Sequence, residues 1–273
     1  MKTIIIKNTI KSLMLTVSAV SVLASGAVVA QSNAIPRTPD GKPDLNGIWQ
    51  TLGTAHWDLE THASRPSPVV EMGALGAIPG GMGVVVGGKI PYKPEALVVK
   101  QQNQADWLAK DPVVKCYLPG VPRATYLPYP FQIVQAPDTT LITYEFAGAD
   151  RMVYMDQPDY ESQVDSWMGH NIGHWEGDTL VITVTGQMPD SWLDSSGNWH
   201  SYQMRVEERY TLESENVIRY EATITDPEVY TEPWTISMPL YRRLDTNMQL
   251  IEFKCVEYVE ELLYGQYRKP GVE

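Results

Sequence analysis

The chain is short of cysteine, phenylalanine and histidine, with two, three and five in 273 residues. Neither cysteine sits in a Cys-x-x-Cys pair, which argues against dithiol redox catalysis and a structural zinc site. No Gly-x-Ser-x-Gly elbow and no Gly-Lys-Ser/Thr loop occurs, so serine-hydrolase and nucleotide-dependent mechanisms lose support. Basic residues are also scarce, 21 against 33 acidic, for a formal charge of −12. A surface this acidic is a poor partner for nucleic acid or anionic lipid.

What the chain does have begins with an address. Lys2, Lys7 and Lys11 precede an apolar run from Leu13 to Ala30 that closes on Val28-Val29-Ala30. That order of charge, apolar core and small residues reads as a signal peptide over residues 1–30, cut before Gln31. The run includes Thr16, Ser18, Ser21, Ser25 and Gly26, too polar for a spanning helix. Removing it takes three lysines and no acids, moving the formal charge to −15. No later stretch approaches spanning length, so the expected product is soluble and periplasmic or secreted, with no membrane insertion. In that oxidising setting Cys116 and Cys255 should form one disulfide.

Residues 31–115 read as a loop-rich arm with one helix, starting at Pro94 and ending before Asp111-Pro112. Residues 116–273 read as a β domain. Nine segments rich in Val, Ile, Thr and Tyr are expected as strands: 132–136, 140–146, 151–156, 170–176, 179–185, 203–212, 217–226, 234–241 and 249–256. Short turns separate most of them, among them Gly177-Asp178, where Asp178 suits the turn. So many strands in an antiparallel meander tend to close and remove their edges. The expected fold is therefore mostly β, an antiparallel up-and-down, lipocalin-like barrel, ahead of a sandwich.

Alternation within the strands assigns faces. Met204, Val206, Tyr210 and Leu212 share one face, and Arg205, Glu207, Arg209 and Thr211 the other. Ile218, Tyr220, Ala222 and Ile224 repeat the pattern. The charged row could line a lumen, but a solvated outer face with cross-strand pairs to Arg219 and Glu221 is the expected reading.

Several blocks resemble a large, functionally uncharacterised family of secreted bacterial proteins. They are Arg37-Thr-Pro-Asp-Gly-Lys-Pro-Asp-Leu-Asn-Gly-Ile-Trp49, Cys116-Tyr-Leu-Pro-Gly-Val-Pro-Arg123 and the run from Trp167 to Ile182 with its Trp-Glu-Gly-Asp-Thr-Leu core. Trp192-Leu-Asp194, Asp226-Pro227 and Pro233-Trp234-Thr235 extend the likeness over nearly all of the mature chain. After Asp156 the family commonly carries an Asp-Gly-Arg-x-His-like segment, where this chain reads Gln-Pro-Asp-Tyr160, so no role there transfers. The hairpin pattern also resembles lipocalin-like (calycin) barrels, a likeness of architecture alone.

Candidate chemistry centres on histidine, suited to proton transfer near neutral pH. His170 and His174 stand four apart, but the glycines around them indicate a strand, where that spacing means roughly 13 Å. No metal site and no cofactor is expected. His170 lies near Asp165 and Trp167, and His200 near Asp194 and Trp199; His170, His200 and Asp194 are the candidate catalytic groups, each histidine also open to a reading as an ordinary loop residue. Arg123, Tyr144 and Arg151 could hold an oxyanion, and the two arginines could equally anchor the barrel ends through ion pairs. Trp167 and Trp199 complete the candidate substrate-binding set, since tryptophan and tyrosine suit a small hydrophobic or oxygenated ligand. Two functions follow: a proton-transfer enzyme of lyase, hydratase, isomerase or cyclase type, or a non-catalytic small-molecule carrier.

Overall fold

The computed structural model describes residues 35–67, 70–157, 163–253 and 255; the expected signal peptide lies outside them. Nine strands close into a barrel in sequence order: β1 (Gly47–Gln50), β2 (Phe131–Gln135), β3 (Thr139–Tyr144), β4 (Asp150–Met155), β5 (His170–Glu176), β6 (Thr179–Thr185), β7 (Arg205–Ser214), β8 (Val217–Thr225) and β9 (Trp234–Arg242). Closure gives every strand a neighbour on both sides, although β9 meets β1 only at Tyr241 and Arg242 and is bridged further along by Val85 of the arm at Ile236. Eight of these strands fall in segments expected from the sequence.

Two features correct the expected meander. The ninth strand is β1, drawn from the arm, and it closes the barrel by pairing antiparallel with β2 on one side and β9 on the other. The arm is thus part of the barrel wall, while the described residues of 249–256 carry no strand. The second correction is β4 and β5, which pair parallel, Val153 with Asn171 and Met155 with Gly173. A tight turn cannot join parallel neighbours. The barrel is mixed, with one parallel seam among antiparallel ones.

β1 is only four residues long, and side chains reinforce its two seams. The Arg242 guanidinium stacks 4.2 Å from the Trp49 ring and donates to the Asn46 carbonyl. Trp49 is fully buried and its indole donates to Leu45 O at 2.9 Å. Arg37 forks onto Asp178 in the two-residue β5–β6 turn, at 2.9 and 2.7 Å, tying the start of the arm to the far wall.

The expected helix from Lys93 to Lys110 is broken at Asp106 into α1 (Pro94–Ala105) and α2 (Trp107–Lys110). Pro94 does start α1, where its missing N–H costs nothing. A third turn of helix, α3 (Arg123–Tyr126), lies entirely buried. Thr125 of α3 meets the Tyr144 hydroxyl at 3.2 Å, so α3 packs onto the end of β3.

Inward-facing residues form the core: Phe131, Ile133, Ile142, Val153, Leu180, Ile182, Val206, Ile218, Ala222, Ile224 and Ile236 are at most 1% exposed. The row of Arg205, Glu207 and Arg209 faces outward, with Arg209 paired to Glu176 at 2.7 Å and to Glu207 at 3.5 Å. Cys116 and Cys255 are disulfide-bonded, as expected. Among the described residues no helix is long and apolar enough to cross a membrane.

Candidate functional site

Three polar assemblies bear on function. The first fills the barrel. Glu208 shares the inward row of β7 with Val206, Tyr210 and Leu212 and is fully buried. Arg151 of β4 reaches it with both terminal nitrogens, the longer contact being 3.1 Å. The Tyr210 and Tyr220 hydroxyls donate to the same carboxylate at 3.0 and 2.7 Å. Arg151 also donates to Asn171 Oδ1 at 3.0 Å and lies over the Tyr144 ring. Burial opposes the charge on Arg151, but Glu208 outweighs it and raises the guanidinium well above its ordinary value. Burial likewise pushes the Tyr210 and Tyr220 hydroxyls up, keeping them neutral donors. Tyr144 and Arg151, both candidate oxyanion holders, are brought together here with their hydrogen-bonding capacity largely used by the protein.

The second assembly lies beyond α3. Arg123 is buried and forks onto Asp111 with two contacts of 2.7 Å. Ser195 Oγ accepts from Arg123 and donates to Asp111, each at 2.9 Å. The adjacent Asp194 is fully buried and accepts from Leu59 N, Ser196 N, Asn198 N and Asn198 Nδ2 at 2.6–3.2 Å. Burial and the Asp58 carboxylate push Asp194 up to about 7, against the pull of those donors. His56 sits close enough that Arg123, after burial, helps hold its ring down at about 4, and its Nδ1 has no partner among the described residues. His56 and Asp58 come from a loop to which the sequence reading gave no role.

These two groups tilt stability with pH in opposite directions. Asp194 binds its proton more tightly folded than unfolded, so its contribution is full below about 4 and is lost as pH rises to about 7. His56 contributes fully above its unfolded value near 6.5 and loses that as pH falls through about 4. Substituting Asp194→Asn isolates the first. In urea titrations the stability of the native protein relative to this variant should fall by up to about 1.4 kcal/mol per pH unit between pH 4 and 7. A pH-independent difference would contradict the protonated, buried carboxyl.

His200 lies nearby but is saturated. Its Nδ1–H donates to the Ser201 carbonyl at 3.0 Å, and its Nε2 accepts from the Ser191 hydroxyl at 2.8 Å. Burial lowers its pKa, favouring this neutral ring. Trp199 donates from its indole to Ala96 O at 3.1 Å, holding the 194–200 loop against α1. Gly197 suits the same contact, because a Cβ there would stand 2.7 Å from Gln104 N. His170 is on the outward side of β5, its ring stacked with Tyr154 at 5.8 Å. The candidate catalytic set is therefore split: Asp194 and His200 occupy the loop beyond the barrel, His170 the outer wall.

The third assembly is a surface cleft of about 360 Å³ lined by Lys110, Pro112, Lys115, Tyr117, Trp167 and Asp190. Tyr117 and Trp167 stack in parallel, centroids 4.9 Å apart and 9° from coplanar. Tyr117 is half exposed. The segment forming this wall also carries Asp111, turned inward to Arg123, so the cleft adjoins the second assembly along the chain. Trp167 is the one candidate ligand residue that lines this cleft. Its companions were passed over because Lys115 and Tyr117 flank a cysteine in a loop, where no periodicity marks a face. Among the described residues no group of three His, Cys, Asp or Glu side chains is placed to hold a metal ion. Compared with protein-family models, curated proteins and solved structures, the chain matches none.

Proposed function

We propose that this protein is an exported small-molecule carrier whose ligand sits in the cleft at Tyr117 and Trp167, outside the barrel. The observation that carries this reading is the open cleft with a stacked aromatic pair and charged residues on its walls, a combination suited to a small oxygenated molecule with an apolar ring. The barrel interior suits a ligand less well, since large side chains and the Arg151–Glu208 pair occupy its middle. Export rests on the lysine-flanked apolar N-terminus and the motif resemblance to secreted bacterial proteins. The disulfide is compatible with it.

Ligand-observed NMR with a mixed set of small aromatic and aliphatic oxygenated compounds tests the reading. A subset should bind the native protein and fail to bind the Tyr117→Ala, Trp167→Ala double variant, at unchanged melting temperature. Equal binding to both, or none to either, would overturn it.

The second reading is a cofactor-independent lyase or isomerase using Asp194. It is favoured by that carboxyl's value near neutrality and by His56 Nδ1 and Arg123 Nε, both buried without hydrogen-bond partners among the described residues. Bound compounds incubated in deuterium oxide should then gain deuterium with the native protein and not with Asp194→Asn. Absence of any exchange would remove the enzyme and leave the carrier.

A further inference from the structure

We infer that the cleft at Tyr117 and Trp167 selects planar aromatic anions, carboxylates above all. This deepens the carrier reading and rests on it. The chain is acidic, with 33 Asp and Glu against 21 Lys and Arg, so a local concentration of cations is out of character. Yet two of the six described residues that line the cleft are lysines, against one acid, Asp190. Lys115 makes no salt bridge among the described residues, and Lys110 has only a long one, 3.9 Å to Asp106. Among the described residues neither ammonium group has a close carboxylate, which suits both to an incoming anion.

The rings set the shape. Because Tyr117 and Trp167 are already stacked, a ligand cannot enter between them at 4.9 Å. It extends the stack over an outer face, which Tyr117, half exposed, presents. A flat ring is the geometry such a face holds. A carboxylate on that ring then meets Lys115 or Lys110, while Asp190 on the same lining can accept from a hydroxyl and repels a second anionic group.

4-Hydroxybenzoate and its neutral counterpart 4-hydroxybenzamide separate charge from shape. The readout is the Trp167 indole N–H signal in the ¹⁵N-labelled protein, assigned by its loss in Trp167→Phe. The carboxylate should shift that signal and bind roughly tenfold more tightly than the amide, the difference expected for two exposed cation contacts. Lys115→Met should weaken the carboxylate about fivefold and leave the amide unchanged, and Lys115→Arg should restore binding. Raising salt should weaken the carboxylate alone. Equal affinity for the two compounds would overturn the anion preference while leaving the cleft as the binding site. If neither moves the Trp167 signal, the inference fails; the carrier reading then fails with it only if no other compound binds there.

Discussion

Replacing Arg151 alone with methionine should destabilise the fold by about 3–5 kcal/mol, measured by urea denaturation at neutral pH. The variant leaves Glu208 fully buried with tyrosine hydroxyls as its remaining partners, and a carboxylate without its cation is costly to keep from water. The double variant Arg151→Met, Glu208→Leu should recover most of that loss, because an apolar pair of similar volume removes both charges together. Tyr210 and Tyr220 then lose an acceptor, so recovery should be incomplete. A double variant no better than the single would show that the pair serves the barrel by more than mutual neutralisation. Ligand binding at the surface cleft should survive in any variant that folds, since the network lies inside the barrel.

Removing the disulfide should have an effect of similar size. Cys116 and Cys255 are 139 residues apart in sequence, and closing a loop that long restricts the unfolded chain by about 4–5 kcal/mol on the chain-entropy account. All strands but β1 lie within that loop. The Cys116→Ser, Cys255→Ser double variant should melt about 10–15 °C lower than the oxidised protein for a chain of this size. Reduction of the native protein should reproduce the shift. An oxidised and a reduced protein melting together would mean that the bridge adds nothing to the barrel's own cohesion.

How much was legible in the sequence depended on whether a signal was local. Period-2 alternation with β-branched residues located β2 to β9, because a half-buried strand writes its faces into consecutive residues. It also assigned the Arg205, Glu207 and Arg209 row to solvent, where the structure has it. β1 escaped because four residues, Gly47 to Gln50, carry too little pattern to separate from a Pro- and Gly-rich arm. The parallel β4–β5 seam escaped because strand direction is a property of the connection, which alternation does not encode. Glu208 was visible in principle: counting by twos from Val206 places it inside. An acidic residue on an apolar row calls for a buried cation, and Arg151 on the inward face of β4 is that partner.

The candidate site was legible only in fragments. Asp194 and Arg123 were picked from motif blocks and do meet in one assembly through Ser195, the neighbour of Asp194, yet its other members, Asp111, His56 and Asp58, come from distant loops whose convergence is tertiary. His200 carried the right residue type, but the structure saturates both its nitrogens. Trp167 was named for its ring, whereas the lysines and Tyr117 around it are assembled by loops with no repeating spacing.

The central claim is that ligand binds on the outside of this barrel and not within it. Mapping chemical-shift changes across the ¹⁵N- and ¹³C-labelled protein during titration with 4-hydroxybenzoate tests it most directly. The account expects the changes to centre on Lys115, Tyr117, Trp167 and Asp190, with the Arg151, Tyr210 and Tyr220 signals still. Changes centred on those interior residues, with Trp167 unmoved, would place the ligand in the lumen and contradict it.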